Sequence, residues 1–431
     1  MRNDVLFMVA ASVLLSQVAC QGFSSMLTGP SAIGEVKSQK DRSAAVAPTG
    51  DIARLVAAND AFAFDLYRGL SAAPGNLFYS PHSISSALAM TYAGARGATA
   101  QQMARALHFE LTDDRLHPAF NSLDRELVSR GEGAKGKDGK GFRLRTVNAL
   151  WGQKGYQFLP GFLDVLAENY GAGMRLVDFS AAEESRQAIN AWVGDQTENR
   201  IKDLIAKGAL DAATRLVLTN AIYFNAAWAD AFSPEQTRDG TFNLLDGGKV
   251  TVPMMNQTDF FSYAKGEGYQ AVALAYDKRE LSMLIVMPAA GQWNTFERSL
   301  DARRVEGIVK NMDSRRVVLS MPKFKVESSF QLAEALRGLG MRDAFELGLA
   351  DFSGMDGTRN LFIGQVIHKS FVAVDEAGTE AAAATAIIMP ASAAAIEQPV
   401  VLTLDRPFAF MIRDNATGAI LFVGRVMNPA P

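Results

Sequence analysis

The run Val374-Asp375-Glu376-Ala377-Gly378-Thr379-Glu380-Ala381-Ala382-Ala383-Ala384-Thr385-Ala386-Ile387-Ile388-Met389 admits two physical readings, and the fold turns on which one holds. It continues from Ser370-Phe371-Val372-Ala373-Val374, an alternating stretch of β-formers that predicts a strand. Alanine favours helix by propensity. A docked helix also needs a bulky apolar stripe at 3.6-residue spacing, and this run has almost no bulk to offer. The next signal for re-entry into a core is Leu402-Thr403-Leu404-Asp405-Arg406-Pro407-Phe408. The connection from Glu376 to Pro407 is therefore long and poor in charge, a kind that is usually functional or disordered.

Read with period two, Thr379, Ala381, Ala383 and Thr385 share one face, with Glu380, Ala382, Ala384 and Ala386 on the other. Small side chains on the inward face are what a strand needs if it is to slide into the middle of an existing sheet. At this point the chain resembles the serpin family, whose hinge reads Glu-x-Gly-Thr-Glu-Ala-x-Ala-Ala-Thr. Glu376, Gly378, Thr379, Glu380, Ala381, Ala383, Ala384 and Thr385 stand in that pattern, with Ala382 inside it.

Further segments carry the same resemblance. Asn76 to Leu88 includes Ser80-Pro81-His82-Ser83-Ile84 and is similar to the family segment beneath the central sheet. The bland reading of Ser80 and Ser83 is helix capping, with Pro81 in the first turn; Thr99 is read as the cap of the next helix. Asn148-Ala149-Leu150-Trp151 and the buried-strand run Arg215 to Trp228 also fit. So does Asp405 to Pro429, a hairpin turning at Asn415 to Gly418. The resemblance covers roughly residues 51 to 430, with no internal repeat. It implies an α+β serpin fold: one domain of mixed helices and three β-sheets with an exposed reactive-centre loop. It also implies that Ser80, Pro81, Ser83, Asn220, Trp228 and His368 lie where the central sheet opens, His368 pairing with Asn220 and Trp228 packing where the hinge enters. From physics alone, Asn220 is a buried polar group in need of a partner, and Trp228 is core.

The 431 residues are 48% hydrophobic and 21% charged, with net charge −3, which gives no global reason to expect nucleic acid as a partner. The single cysteine excludes an intramolecular disulfide. Residues 1–20 read as an export signal, with Arg2 near the start and an apolar run from Val5 to Leu15. Gln17-Val18-Ala19-Cys20 resembles a bacterial lipoprotein cleavage site, so Cys20 is expected to be lipidated and to anchor the protein at the cell envelope, with Gln21 suiting an outer-membrane destination. The alternative is a soluble secreted product. Residues 21–50 read as a flexible tether and 51–431 as the folded domain. The Gly/Lys-rich stretch Gly131 to Gly141 reads as a solvated loop rather than a polyanion site.

No enzyme signature is present. The four histidines, His82, His108, His117 and His368, form no His-Glu-x-x-His motif or metal-ligand pair, and no Gly-x-Ser-x-Gly elbow or P-loop occurs. No catalytic residue, metal or cofactor is expected. The resemblance implies a suicide-substrate inhibitor of serine endopeptidases, acting as a monomer through a covalent acyl complex. Counting from Glu376 as the family does places the scissile bond at Ser392–Ala393, with Ala391–Ser392 and Ala393–Ala394 as the neighbouring registers. No Lys or Arg occurs between Lys369 and Arg406, so an elastase-like or subtilisin-like pocket suits the bait better than one with a buried carboxylate. Two other functions stay open: a non-inhibitory surface binding protein, and an inhibitor of papain-like cysteine proteases.

Overall fold

The computed structural model describes residues 33–136, 138–379 and 398–430. In chain order the helices are α1 (Thr49–Leu70), α2 (Pro81–Tyr92), α3 (Gly97–Ala106), α4 (Asp113–Ser129), α5 (Pro160–Tyr170), α6 (Ala182–Gln196), α7 (Trp293–Arg298), α8 (Ala302–Lys310), α9 (Ala333–Gly338) and α10 (Ser353–Asp356). The strands are β1 (Gly34–Val36), β2 (Leu77–Tyr79), β3 (Arg143–Gln153), β4 (Met174–Val177), β5 (Leu216–Ala227), β6 (Arg238–Asn243), β7 (Lys249–Gly266) and β8 (Tyr269–Ala275). They continue with β9 (Leu281–Pro288), β10 (Asp313–Pro322), β11 (Phe324–Gln331), β12 (Ile363–Asp375), β13 (Gly378–Thr379), β14 (Val400–Thr403), β15 (Phe408–Asp414) and β16 (Ile420–Val426).

Among the described residues the strands form two hydrogen-bonded sheets. The first is seven-stranded, ordered β1-β4-β3-β5-β13-β12-β11. The second is nine-stranded, ordered β14-β10-β7-β8-β9-β15-β16-β2, with β6 on β7. The second and third of the three sheets expected from the sequence are thus continuous. The 18-residue β7 is the cause: its first part pairs with β6, its last part with β8, and β10 runs along most of it.

Strand β5 has no polar/apolar alternation because both faces of its sheet are covered. Leu216, Leu218, Ile222 and Phe224 point into the main core shared with the second sheet, and α2 packs against both sheets there. Val217 and Ala221 face the opposite way into a smaller core with Trp151, Ile189, Val193 and Ile205, roofed by α6. The N-terminus of α2 points up at β3 and β5 from below, with Ser80 as its cap accepting from the Ser83 amide and Pro81 in the first turn.

Two sequence expectations are corrected. Residues 34–48, expected to belong to a tether ending at residue 50, are docked. β1 pairs antiparallel with β4, and the strap then crosses α5 and α4. Ser38 donates to Asp164 at 2.6 Å, the Arg42 guanidinium holds Asn121 and Asp124, and the Ala47 amide donates to Ser122. Most of these fastenings are polar and only Val36 and Ala47 reach the core, so the strap has no apolar period to give it away. Thr99, read as a helix cap, lies inside α3, whose cap is Arg96; its hydroxyl instead accepts from the Asp351 amide at 2.9 Å.

Candidate functional site: a half-open seam in the central sheet

The central strands β5 and β12 run parallel and bond directly from Leu216↔Ile363 to Tyr223↔Phe371. Beyond that register they part, although β5 continues to Ala227 and β12 to Asp375. Gly378 and Thr379 stand in the gap. They pair antiparallel with β12 (Asp375↔Gly378, Val374↔Thr379) and antiparallel with β5 (Gly378↔Ala227, Thr379↔Ala226). The first two residues of an extra central strand are therefore in place.

Each hinge residue has a reason for its position. Gly378 adopts φ 144°, which favours glycine, and a Cβ there would come within 2.3 Å of the Ala226 carbonyl oxygen. Thr379 is fully buried, and its hydroxyl shares a 3.0 Å hydrogen bond with the Tyr276 hydroxyl. Burial pushes the Tyr276 phenol well above its usual range, so it stays protonated. Trp228 stacks on Tyr276 with ring centroids 4.7 Å apart, and its indole N–H donates to the Asp375 carbonyl at 3.0 Å. The Trp228 and Phe232 amides donate to the carbonyls of Ala377 and Glu376. Glu376 sits 2.8 Å from the Lys323 ammonium and accepts from the Thr237 hydroxyl at 2.7 Å. Burial alone would push its carboxyl up; the bonds from Lys323 and Thr237 outweigh burial and hold it below its ordinary value.

A second cluster lies under the closed part of the seam. Asn148 of β3, Asn220 of β5 and His368 of β12 sit side by side in register across three neighbouring strands. Asn220 donates through its amide to the Ser83 hydroxyl and to Asn148, and its carbonyl oxygen bonds His368 Nδ1. Asn148 donates back to the Ser83 carbonyl at 3.2 Å. His368 Nε2 accepts from the Ser80 amide at 3.2 Å, so the ring carries its proton on Nδ1. The Ser80 hydroxyl donates to the Leu421 carbonyl of the second sheet at 2.7 Å. Full burial drives the His368 pKa down to about 3, which keeps the ring neutral. In one network the helix α2, three strands of the first sheet and one of the second are joined.

Of the residues singled out by sequence, Ser80, Ser83, Asn220 and His368 meet in this lower cluster, with Pro81 opening the helix beside it. Trp228, Glu376, Gly378 and Thr379 meet at the parted end. Glu380, Ala381, Ala382, Ala383, Ala384 and Thr385 lie outside the described residues, as do Ser392, Ala393 and Cys20. Four contributors escaped the sequence reading. Asn148 carried a signal, being a buried amide on a strand that pairs with the strand of Asn220. Tyr276, Thr237 and Lys323 carried none, because each reaches the hinge from a distant segment.

Among the described residues no group of three or more His, Cys, Asp or Glu side chains is placed to hold a metal ion. None of the described helices is long and apolar enough to cross a membrane.

Comparison with known proteins agrees with the geometry. A family model described as Serpin (serine protease inhibitor) matches residues 57–429. An uncharacterised serpin-like protein of Thermococcus kodakarensis is 44% identical over 378 residues, covering 87% of this chain and 86% of that protein. The leukocyte elastase inhibitor of Homo sapiens is 41% identical over 388 residues, covering 87% of this chain and all (100%) of the relative. Among solved structures, tengpin, a thermophilic serpin in its native state, superposes with a TM-score of 0.79 at 27% identity, covering 91% of this chain and 97% of the other. The chain belongs to the serpin family.

Proposed function

We propose that this protein inhibits serine endopeptidases with a small apolar specificity pocket, elastase-like or subtilisin-like, by trapping the acyl-enzyme. The observation that carries this reading is the double pairing of Gly378 and Thr379 in the parted seam. The protease serine attacks the carbonyl of Ser392, the amine of Ala393 leaves, and an ester joins enzyme to inhibitor. Cutting frees the segment that follows Thr379. It then extends the two-residue strand downward between β5 and β12, adding ladder bonds worth about 1 kcal/mol each, net, along with buried area. The ester-bound enzyme is carried with it and distorted before water can release it. Small residues at Ala381, Ala383 and Thr385 suit burial on the same face as Thr379, and the lack of Lys and Arg from residue 370 to 405 argues against a trypsin-like target.

The test mixes protein lacking residues 1–20 with an elastase and separates the products in SDS. A complex that survives SDS, with a released peptide beginning near Ala393, supports the reading. Full cleavage without complex, and with no gain in thermal stability, overturns it in favour of a binding role.

The reading also places the protein at the cell envelope through a lipid on Cys20. The variant Cys20→Ser is expected to move it from the membrane fraction to the soluble fraction in its native host.

A further inference from the structure

A half-open cleft of about 400 Å³ lies between the end of α2, the start of α4 and one face of α5, a size within the range of small-ligand sites. Much of its lining is apolar, from Ala93, Pro118, Phe162 and Val165. Two buried polar side chains also line it, and neither is fully satisfied. His117, 3% exposed, meets the Tyr170 hydroxyl through Nδ1 at 2.7 Å, but its buried Nε2 has no partner. Burial holds its pKa down at about 4, so the ring is neutral, and Nε2 donates or accepts according to which way the Tyr170 proton points. Asn169 spends an amide N–H on the Val165 carbonyl at 3.0 Å, and its Oδ1 accepts nothing among the described residues. A buried polar atom without a partner carries a desolvation cost that a bound polar group would remove.

Three exposed charged residues complete the lining: Arg96 after α2, and Asp113 and Asp114 in the first turn of α4. Partial burial lifts the Asp113 carboxyl above its ordinary value, against the opposing pull of Arg96. Arg96 and Asp113 nevertheless form no ion pair, and among the described residues the carboxylates of Asp113 and Asp114 have no hydrogen-bonded partner. Arg96 is fixed instead by the carbonyls of Ala93 and Ala95, at 3.1 and 2.6 Å, which both take Nη1 and leave the rest of the planar fork open. Gly354 makes room for that guanidinium, because a Cβ there would collide with it. A cation and a carboxylate that face one cleft without meeting suit a ligand carrying both opposite charges, and His117 and Asn169 suit a third, polar group. We propose that this cleft binds a free α-amino acid with a polar side chain. The carboxylate lies on Arg96, the ammonium on Asp113 and Asp114, and the side-chain tip on His117 and Asn169, with the stem against Phe162 and Val165. The site goes beyond protease inhibition and needs neither the bait nor the hinge. An occupant joins α2, α4 and α5 and so stabilises the native fold by mass action.

The experiment screens the purified protein against the free L-amino acids one at a time by thermal shift, then titrates the strongest by calorimetry. The same amino acid as its α-amide, which lacks the carboxylate, and as its N-acetyl form, which lacks the ammonium, are the comparison probes. The expected result is a raised melting temperature and saturable heat with at least one polar amino acid, and binding weaker by about tenfold or more when either charge is removed. The double variant Asp113→Asn/Asp114→Asn and the variant His117→Leu, each first shown to be folded by its own melting transition, should bind at least about fivefold more weakly. No melting shift and no heat with any amino acid overturns the site. Equal binding of the α-amide reassigns the cleft to a simple amine, equal binding of the N-acetyl form reassigns it to a carboxylate anion, and either overturns the proposal. Undiminished binding in both variants puts the ligand elsewhere and overturns it as well.

Discussion

Along one pair of strands the molecule uses two kinds of closure. Up to Tyr223 and Phe371, β5 and β12 bond to each other over a buried polar network in which Asn220 and His368 are bonded on both sides. Past that point the strands are kept apart by two residues of another segment, held by strand pairing on both sides, the bonds of Trp228 and Phe232 to the turn before them, a part-exposed ion pair from Lys323 and hydroxyl bonds from Thr237 and Tyr276. The lower half is expensive to open because a buried amide or imidazole without its partner costs about 1–3 kcal/mol. The upper half is cheap to rearrange. A seam opened from the top therefore proceeds by handing each β5 and β12 bond to an incoming strand, and it meets its main resistance at Asn220 and His368.

The largest expected effect comes from blocking the hand-over. Thr379→Arg forces a large cation into a fully buried site beside the Tyr276 hydroxyl, so SDS-stable complex with an elastase should fall at least tenfold while cleavage of the loop continues. A gel of complex against cleaved inhibitor reads this directly, and undiminished complex would show that Thr379 need not be buried. Next in size is His368→Ala, which strips partners from Ser80 and Asn220 and leaves a cavity. Stability should drop by about 2–4 kcal/mol, read by thermal or urea unfolding; a loss under 1 kcal/mol would remove the contrast between the halves.

Acid should act on the lower half in the same direction. His368 ionises near its ordinary 6.5 when unfolded but only at about 3 when folded, and His117 at about 4. The unfolded chain thus binds more protons below about pH 6.5, and stability falls as pH drops from there. Buried Asp60, pushed up to about 7, works against this, gaining its proton earlier in the folded state. His82 is also lowered by burial, so three histidines oppose Asp60 and the melting temperature should decline from pH 7 to pH 5. The variant His368→Gln should flatten that slope, and an unchanged slope would exclude the imidazole as its source. The smallest expected effect is at the top. Lys323 is 37% exposed, so Lys323→Ala should cost no more than about 1 kcal/mol. It should nonetheless shift Trp228 fluorescence if the hinge leaves the gap, because the indole bonds Asp375 directly.

What sequence could reveal follows the same division. Gly378 and Thr379 were legible because residues wedged between two strands restrict their own types, and Gly378 can be nothing larger. The C-terminal hairpin was legible through its turn, where the Gly418 amide bonds Asp414. Residues 34–48 were misread because they dock through side-chain and backbone polar bonds, which leave no period in the sequence. Tyr276 and Lys323 were invisible because their roles depend on tertiary placement. The merging of two expected sheets followed from the length of β7, whose ends serve different partners.

The strap has a mechanical consequence. A pull on the chain ahead of residue 34 enters the sheet at β1, with β4 and β3 still between it and the seam at β5. The load runs along the β1–β4 pairing in shear and passes next to Ser38, Arg42 and Ser43, each fastened to α4 or α5. Tension on the residues ahead of β1 would strip these fastenings in sequence before any force reached the seam.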